Sequence, residues 1–215
     1  MAKVWADFLD EVLPEMKGTP PQALVTNAIK NAAIEFCERS FVYRLDHPAV
    51  TSVASDGEYD WAPGADLKVV RAEAVWYEKK ELTPKTVDEL RAMHAYWPDW
   101  EGVPLYFVQE RVEELILVPK PTDGVADAIR AKVSVKPSRA ATGIDDAIWE
   151  KYLEPIASGA KGRLFAMKDK PWTDGTLAAY HKGLFEDAID AARLAAFKGH
   201  VRSRNNQSLN RRRFL

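Results

Sequence analysis

Four histidines, one cysteine and two adjacent acid pairs are the side chains of this sequence best suited to metal, nucleophilic or acid–base chemistry. A metal centre needs closely spaced imidazole, thiolate or carboxylate ligands. His47, His94, His181 and His200 stand far apart, none has a ligand partner four residues on, and each reads as a surface or satisfied histidine. Cys37 falls on the apolar stripe Leu24, Val25, Ala28, Ile29, Ala32, Ala33 and Phe36, so it reads as a small core residue rather than a nucleophile. Asp145-Asp146 precedes another apolar stripe, the position of a helix cap, and Glu113-Glu114 reads as a turn feeding a strand. No phosphate loop, dinucleotide fingerprint, nucleophile elbow or deaminase pattern occurs. The expectation is therefore no metal, no cofactor and no catalytic residue. A small hydrolase remains open only because triads are assembled in space, and it would need a convergent polar pocket.

Binding chemistry is better represented. The last eighteen residues carry Lys198, Arg202, Arg204, Arg211, Arg212 and Arg213, no acid, and the apolar tip Phe214-Leu215. The whole chain has a formal charge of −2, so removing this +6 segment leaves a body of about −8. An acidic body with a basic, apolar-tipped arm reads as something held by a partner. Alone, such an arm buries too little surface to offset its ordering entropy. Trp97 and Trp100, in Trp97-Pro98-Asp99-Trp100, form a bulky loop that either folds back over its own core or is buried in a partner.

The elements that must position these groups follow from periodicity. Val4, Trp5, Phe8, Leu9, Val12 and Leu13 lie on one helical stripe, which Pro14 disturbs. Thr19-Pro20-Pro21 reads as the cap and first turn of a second helix ending near Ser40. Residues 41–138 alternate short β-rich runs with turn signals: 41–45, 49–53, 59–61, 67–77, 105–109, 115–118 and 129–136, with a short helix over 87–94 capped by Thr86. Leu115 and Leu117 with the flanking Pro119 and Pro121 suggest a strand terminating at a sheet edge. Helical spacing returns at Ile148, Trp149, Tyr152, Leu153 and Ile156, where Pro155 should kink or divide the helix. Gly159, Ala160 and Gly162 let a neighbour approach closely. The last helix, capped by Thr173, presents Leu177, Tyr180, Leu184, Phe185, Ala188, Ile189, Ala192 and Ala195 and ends near Gly199. The fold class is α+β: an antiparallel bundle from N-terminal helices (1–40) and C-terminal helices (139–199), a β-rich insertion (41–138) and an extended basic arm (200–215).

At 215 residues the chain can bury roughly 70% of its unfolded surface and needs no covalent staple. One cysteine fits a reducing compartment. Asp7, Asp10 and Glu11 interrupt the N-terminal apolar residues and argue against a signal peptide, and no apolar run approaches the ~20 residues of a membrane span. The expectation is a soluble protein made in the cytoplasm.

The ordered segments Phe36-Cys37-Glu38-Arg39-Ser40 with Tyr43-Arg44-Leu45, Val75-Trp76-Tyr77 with Glu81-Leu82-Thr83-Pro84, Leu115-Ile116-Leu117-Val118-Pro119-Lys120-Pro121, Val133-Ser134-Val135-Lys136-Pro137-Ser138, Ala157 to Leu164, Lys170-Pro171-Trp172 and Ala191-Ala192-Arg193 make the chain resemble the head–tail adaptor (connector) proteins of tailed bacteriophages. The resemblance implies a non-enzymatic virion protein of the head–tail neck, commonly a ring of twelve beneath the portal, with a channel that genomic DNA traverses without sequence-specific binding. Its partners would be the portal protein, further copies of itself and a tail or nozzle protein, with no membrane. The C-terminal segment would reach the portal, and the β-rich part would face the tail. A nucleic-acid-binding protein using the basic tail against phosphate is the alternative.

Overall fold

The computed structural model describes residues 2–198. Helices from both ends of the chain share one core, and two stacked β-sheets share a second. The class is α+β.

The N-terminal stripe is less helical than its spacing predicts. Ala2–Val4 is a strand (β1), followed by a 3₁₀ turn at Trp5–Phe8, a single α turn at Leu9–Val12 (α1) and a second 3₁₀ turn at Leu13–Glu15. Trp5, Phe8 and Val12 are buried as the stripe requires, but Val4 is exposed, because β1 pairs antiparallel with Gly143–Asp145 (β10). That pairing needs a glycine: a Cβ on Gly143 would sit 2.0 Å from the Lys3 carbonyl oxygen.

Gln22–Ser40 (α2) buries Val25, Ala28, Ile29, Ala32, Ala33, Phe36 and Cys37, the face its periodicity defines. Its start corrects the sequence reading: Pro21 occupies the N-cap, Pro20 lies outside the helix, and Thr19 makes no cap. Its end is set by Phe41, whose φ of 56° breaks the helix in the left-handed region. Residues 41–43 are consequently not strand, and the sheet begins at Arg44.

The middle of the chain forms two four-stranded sheets. The first, in the order β2-β9-β4-β5, comprises Arg44–Val50 (β2), Ile129–Pro137 (β9), Leu67–Tyr77 (β4) and Lys80–Glu81 (β5). The second, in the order β3-β8-β7-β6, comprises Glu58–Asp60 (β3), Glu114–Val118 (β8), Tyr106–Val108 (β7) and Thr83–Pro84 (β6). All pairings are antiparallel except β6 with β7. Strand β8 is interior, which corrects its assignment to an edge; Pro119 and Pro121 fall just past its end, where no ladder hydrogen bond is needed. Alternation then fixes the layers. Leu115 and Leu117 of β8 join Val69, Val75, Ile129, Val133, Val135 and Trp61 between the sheets. Val118 and Ile116 face outward, against Leu90 of Val87–Met93 (α3). On its other side the first sheet meets the helices, through β9 against α2.

Asp146–Phe165 (α4) is capped by Asp145, whose Oδ1 accepts the Ala147 N–H at 2.9 Å. Pro155 is accommodated inside the helix, and the distortion falls at Tyr152 (φ −127°, ψ 21°), next to the Lys151 carbonyl that the proline leaves without its donor. Gly175–Lys198 (α5) is capped by Asp174, which accepts from Thr176 and Leu177, both at 3.0 Å. Thr173 is not the cap; its hydroxyl donates to the Met167 carbonyl. The buried face of α5 is His181, Phe185, Ile189 and Ala192, so Tyr180, Leu184 and Ala195, which the apolar pattern assigns to the core, are exposed instead. The expected cap at Gly199 lies outside the described residues.

Candidate functional site: a basic cleft at the helix–sheet junction

The side chains that could do chemistry are absorbed into the scaffold. Cys37 is fully buried in the helical core, and burial pushes its thiol up to about 12. Among the described residues no group of three or more His, Cys, Asp or Glu side chains is placed to hold a metal ion, and no helix is long and apolar enough to cross a membrane. His47 places its ring nitrogens 2.7 Å from the Pro48 carbonyl and 2.9 Å from that of Trp61. His94 stacks on Trp100, with centroids 5.2 Å apart. His200 lies outside the described residues.

His181 is the exception that sequence did not resolve. It is buried on α5, stacks on Phe165 and brings Nε2 to 3.2 Å from Glu15, without the alignment of a hydrogen bond. Lys161 of α4, only 9% exposed, reaches the same carboxylate at 2.7 Å. Lys161 holds Glu15 below the usual carboxylate range, and desolvation holds the imidazole below its ordinary value. The cluster ties the N-terminal segment to α4 and α5.

A second charged network joins the helices. Arg39 of α2 bonds Glu35 at 2.9 Å and forks onto Glu186 of α5; Arg163 of α4 bonds Glu35 in turn. Beside it α4 and α5 approach closely at Gly159, where a Cβ would lie 2.6 Å from the Phe185 ring. The small residues Gly159 and Gly162 therefore serve helix packing.

Of the binding residues read from the sequence, Lys198 is exposed at the end of α5, while Arg202, Arg204, Arg211, Arg212, Arg213, Phe214 and Leu215 lie outside the described residues. Trp97 and Trp100 are half-buried on the outer face of the second sheet, with Val87, Leu90, Val108 and Val118. Reciprocal hydrogen bonds fasten this loop: the Trp100 carbonyl accepts the Lys120 N–H at 2.8 Å, and Gly102 N–H donates to the Lys120 carbonyl at 2.9 Å. The tryptophans thus cover their own small core, and beside them Met93 and Tyr96 (75% exposed) project from the outer layer that also carries α3.

The junction between helices and sheets carries a feature that periodicity could not signal. Arg71 lies over Phe41 at 4.3 Å and near Phe197 of α5 at 5.6 Å, and Arg193 flanks the same two rings. Arg71 enters this stack where β4 bulges between Val69 and Arg71. Glu73 accepts from Arg71 and Ser134 and lies 3.5 Å from Arg44. Next to the stack, Val42, Tyr43, Arg44, Lys132, Asp145, Ile148, Lys151, Ala195 and Ala196 line a cleft of about 530 Å³. Its lining holds three cations and one carboxylate, and that carboxylate is already engaged in capping α4.

A search of curated proteins finds no match. The sequence model described as SU10 adaptor protein matches residues 5–213, nearly the whole chain, and the chain belongs to this family of bacteriophage adaptor proteins.

Proposed function

We propose that this protein is the structural adaptor between the portal of a DNA-filled phage head and the tail. Copies form a ring beneath the portal, twelve by the resemblance to connector proteins, around a channel for the genome. The observation that carries the reading is the family match, which spans the helical ends, the β-rich middle and nearly all of the basic terminal segment. In this reading the chain divides into a helical body (1–40 and 139–199), a β-rich insertion (41–138) and an arm (200–215), and performs no catalytic step. A closed ring needs two different faces on each copy. Repetition multiplies weak contacts, so many arms hold where one would not. An acidic body repels phosphate, which favours genome passage over retention.

In this reading Lys198, Arg202, Arg204, Arg211, Arg212 and Arg213 pair with portal carboxylates, while Phe214 and Leu215 fill apolar pockets. The Trp97–Asp99 turn and Trp100, on the outer face of the second sheet beside α3, face the tail or nozzle protein with Met93 and Tyr96. Deleting residues 211–215 should leave the melting temperature unchanged and abolish portal association in a co-sedimentation assay. Undiminished portal binding by the truncated chain would refute the arm assignment. If the tail instead served nucleic acid, about six neutralised phosphates would give a log–log salt slope of roughly −5 on duplex DNA. The adaptor reading expects no retention of DNA at ~50 mM salt.

A further inference from the structure

We propose that the basic cleft at the helix–sheet junction binds a second copy of this chain, receiving the acidic outer face of that copy's N-terminal segment. The proposal rests on the adaptor reading only in supposing that copies stand side by side; the contact itself follows from unpaired charge. Lys132 and Lys151 make no ion pair among the described residues, although both line the cleft and both are exposed. Arg71 and Arg193 add positive charge at the cleft's edge, and Glu73 is the one carboxylate shared by Arg44 and Arg71. This positive surface belongs to a body that is otherwise acidic.

The complementary surface is on the same molecule. Asp7 and Asp10 are exposed and Glu11 is half-exposed, and none of the three makes an ion pair among the described residues. They lie on the outer side of the N-terminal segment, whose inner side buries Trp5, Phe8 and Val12. The two surfaces flank α4. Ile148, Lys151 and Tyr152 face the cleft, whereas Trp149, which carries Lys3 4.5 Å over its ring, faces the N-terminal segment. At about 3.6 residues per turn Trp149 points about 100° away from Ile148 and about 160° away from Lys151. The acidic surface therefore points away from its own molecule's cleft, and satisfying both surfaces requires a neighbour. A contact that joins two different faces is heterologous, the kind that closes into a ring. Leu194, exposed on α5 next to the cleft-lining Ala195, supplies apolar area near the charges.

Charge exchange tests the contact. Self-association of the full chain is measured by sedimentation equilibrium for wild type, for Lys132→Glu with Lys151→Glu, for Asp7→Lys with Asp10→Lys, and for the four substitutions combined, each checked for native circular dichroism. The expected result is association by wild type, at least tenfold weaker association by either pair alone, and restoration in the combined chain. Raising the salt from about 50 to 500 mM should weaken the wild-type contact, because the charges are exposed. Wild type that stays monomeric to about 1 mM, a concentration at which contacts of only about 4 kcal/mol half-saturate, would overturn the proposal. So would single-surface variants that associate like wild type, or a combined chain that fails to recover. Portal capture, assayed separately, reads the adaptor role: its loss in wild type refutes that role and leaves the copy-to-copy contact standing.

Discussion

Replacing Gly159 by alanine should destabilise the protein, whereas the same change at Gly183 should stabilise it. Both glycines lie inside long helices, where alanine is favoured by about 0.8–1.0 kcal/mol on propensity alone. They differ in what a new methyl would meet. At Gly183 nothing lies within 4 Å, so the full propensity gain should appear. At Gly159 the added Cβ would sit 2.6 Å from Cε2 of Phe185, when carbon–carbon contact prefers about 3.5–4.0 Å. The ring must therefore move by about 1 Å. It is held by Phe36, 6.1 Å away, and by Arg163, 5.6 Å over its face, and it is buried. Overpacking of this kind costs about 1–3 kcal/mol, leaving a net loss of about 1 kcal/mol after the propensity gain. The two variants should thus differ by about 2 kcal/mol, or about 4–8 °C in melting temperature for a chain of this length. Thermal and urea unfolding monitored by circular dichroism would measure this. A Gly159→Ala protein as stable as Gly183→Ala would refute the close approach of α4 and α5.

Stability should also depend on pH through the Glu15–Lys161–His181 cluster. Burial holds His181 below its ordinary value, so near pH 6.5 and beneath it the unfolded chain binds more protons than the folded one, and stability falls as pH falls. Glu15, held low by Lys161, acts in the same direction at more acidic pH, through and below the ordinary carboxylate value. Urea midpoints at pH 7.5 and 5.5 should fall for wild type and fall less for His181→Phe; equal falls would contradict the assignment. At α3, Thr86 accepts the Glu89 N–H while Glu89 reaches back to the Thr86 N–H at 2.9 Å, so Thr86→Ala should cost about 1 kcal/mol. Amide exchange should accelerate in α3 alone, and unchanged exchange there would argue against the capping box.

How much could be read in advance depends on whether the deciding force was local. The core stripe of α2, the Thr86 cap and a cap at Asp145-Asp146 are set by residues within one helical turn of each other, and sequence reveals them, though only the structure picks Asp145 from the pair. The failures arise where a distant partner decides. Val4 leaves the helical stripe because β1 pairs with β10, more than 130 residues on. Leu115 and Leu117 read as an edge, yet β3 and β7 flank them on both sides. Tyr180 and Leu184 share an apolar stripe with Phe185 but stay exposed, because α2 and α4 cover only the face bearing His181, Phe185 and Ile189. Trp97 and Trp100 could be recognised as an apolar loop, but only the structure shows Val108 and Val118 beneath them. The junction of Phe41, Arg71, Arg193 and Phe197 draws on three separate segments, and no spacing could announce it.

Imaging the purified chain mixed with its portal tests the central claim most directly. Closed rings should be seated coaxially on the portal, with density for the C-terminal residues entering the portal, and portals should stay bare when residues 211–215 are removed. Portals that stay bare with the full-length chain, or rings bound equally well without those residues, would contradict it.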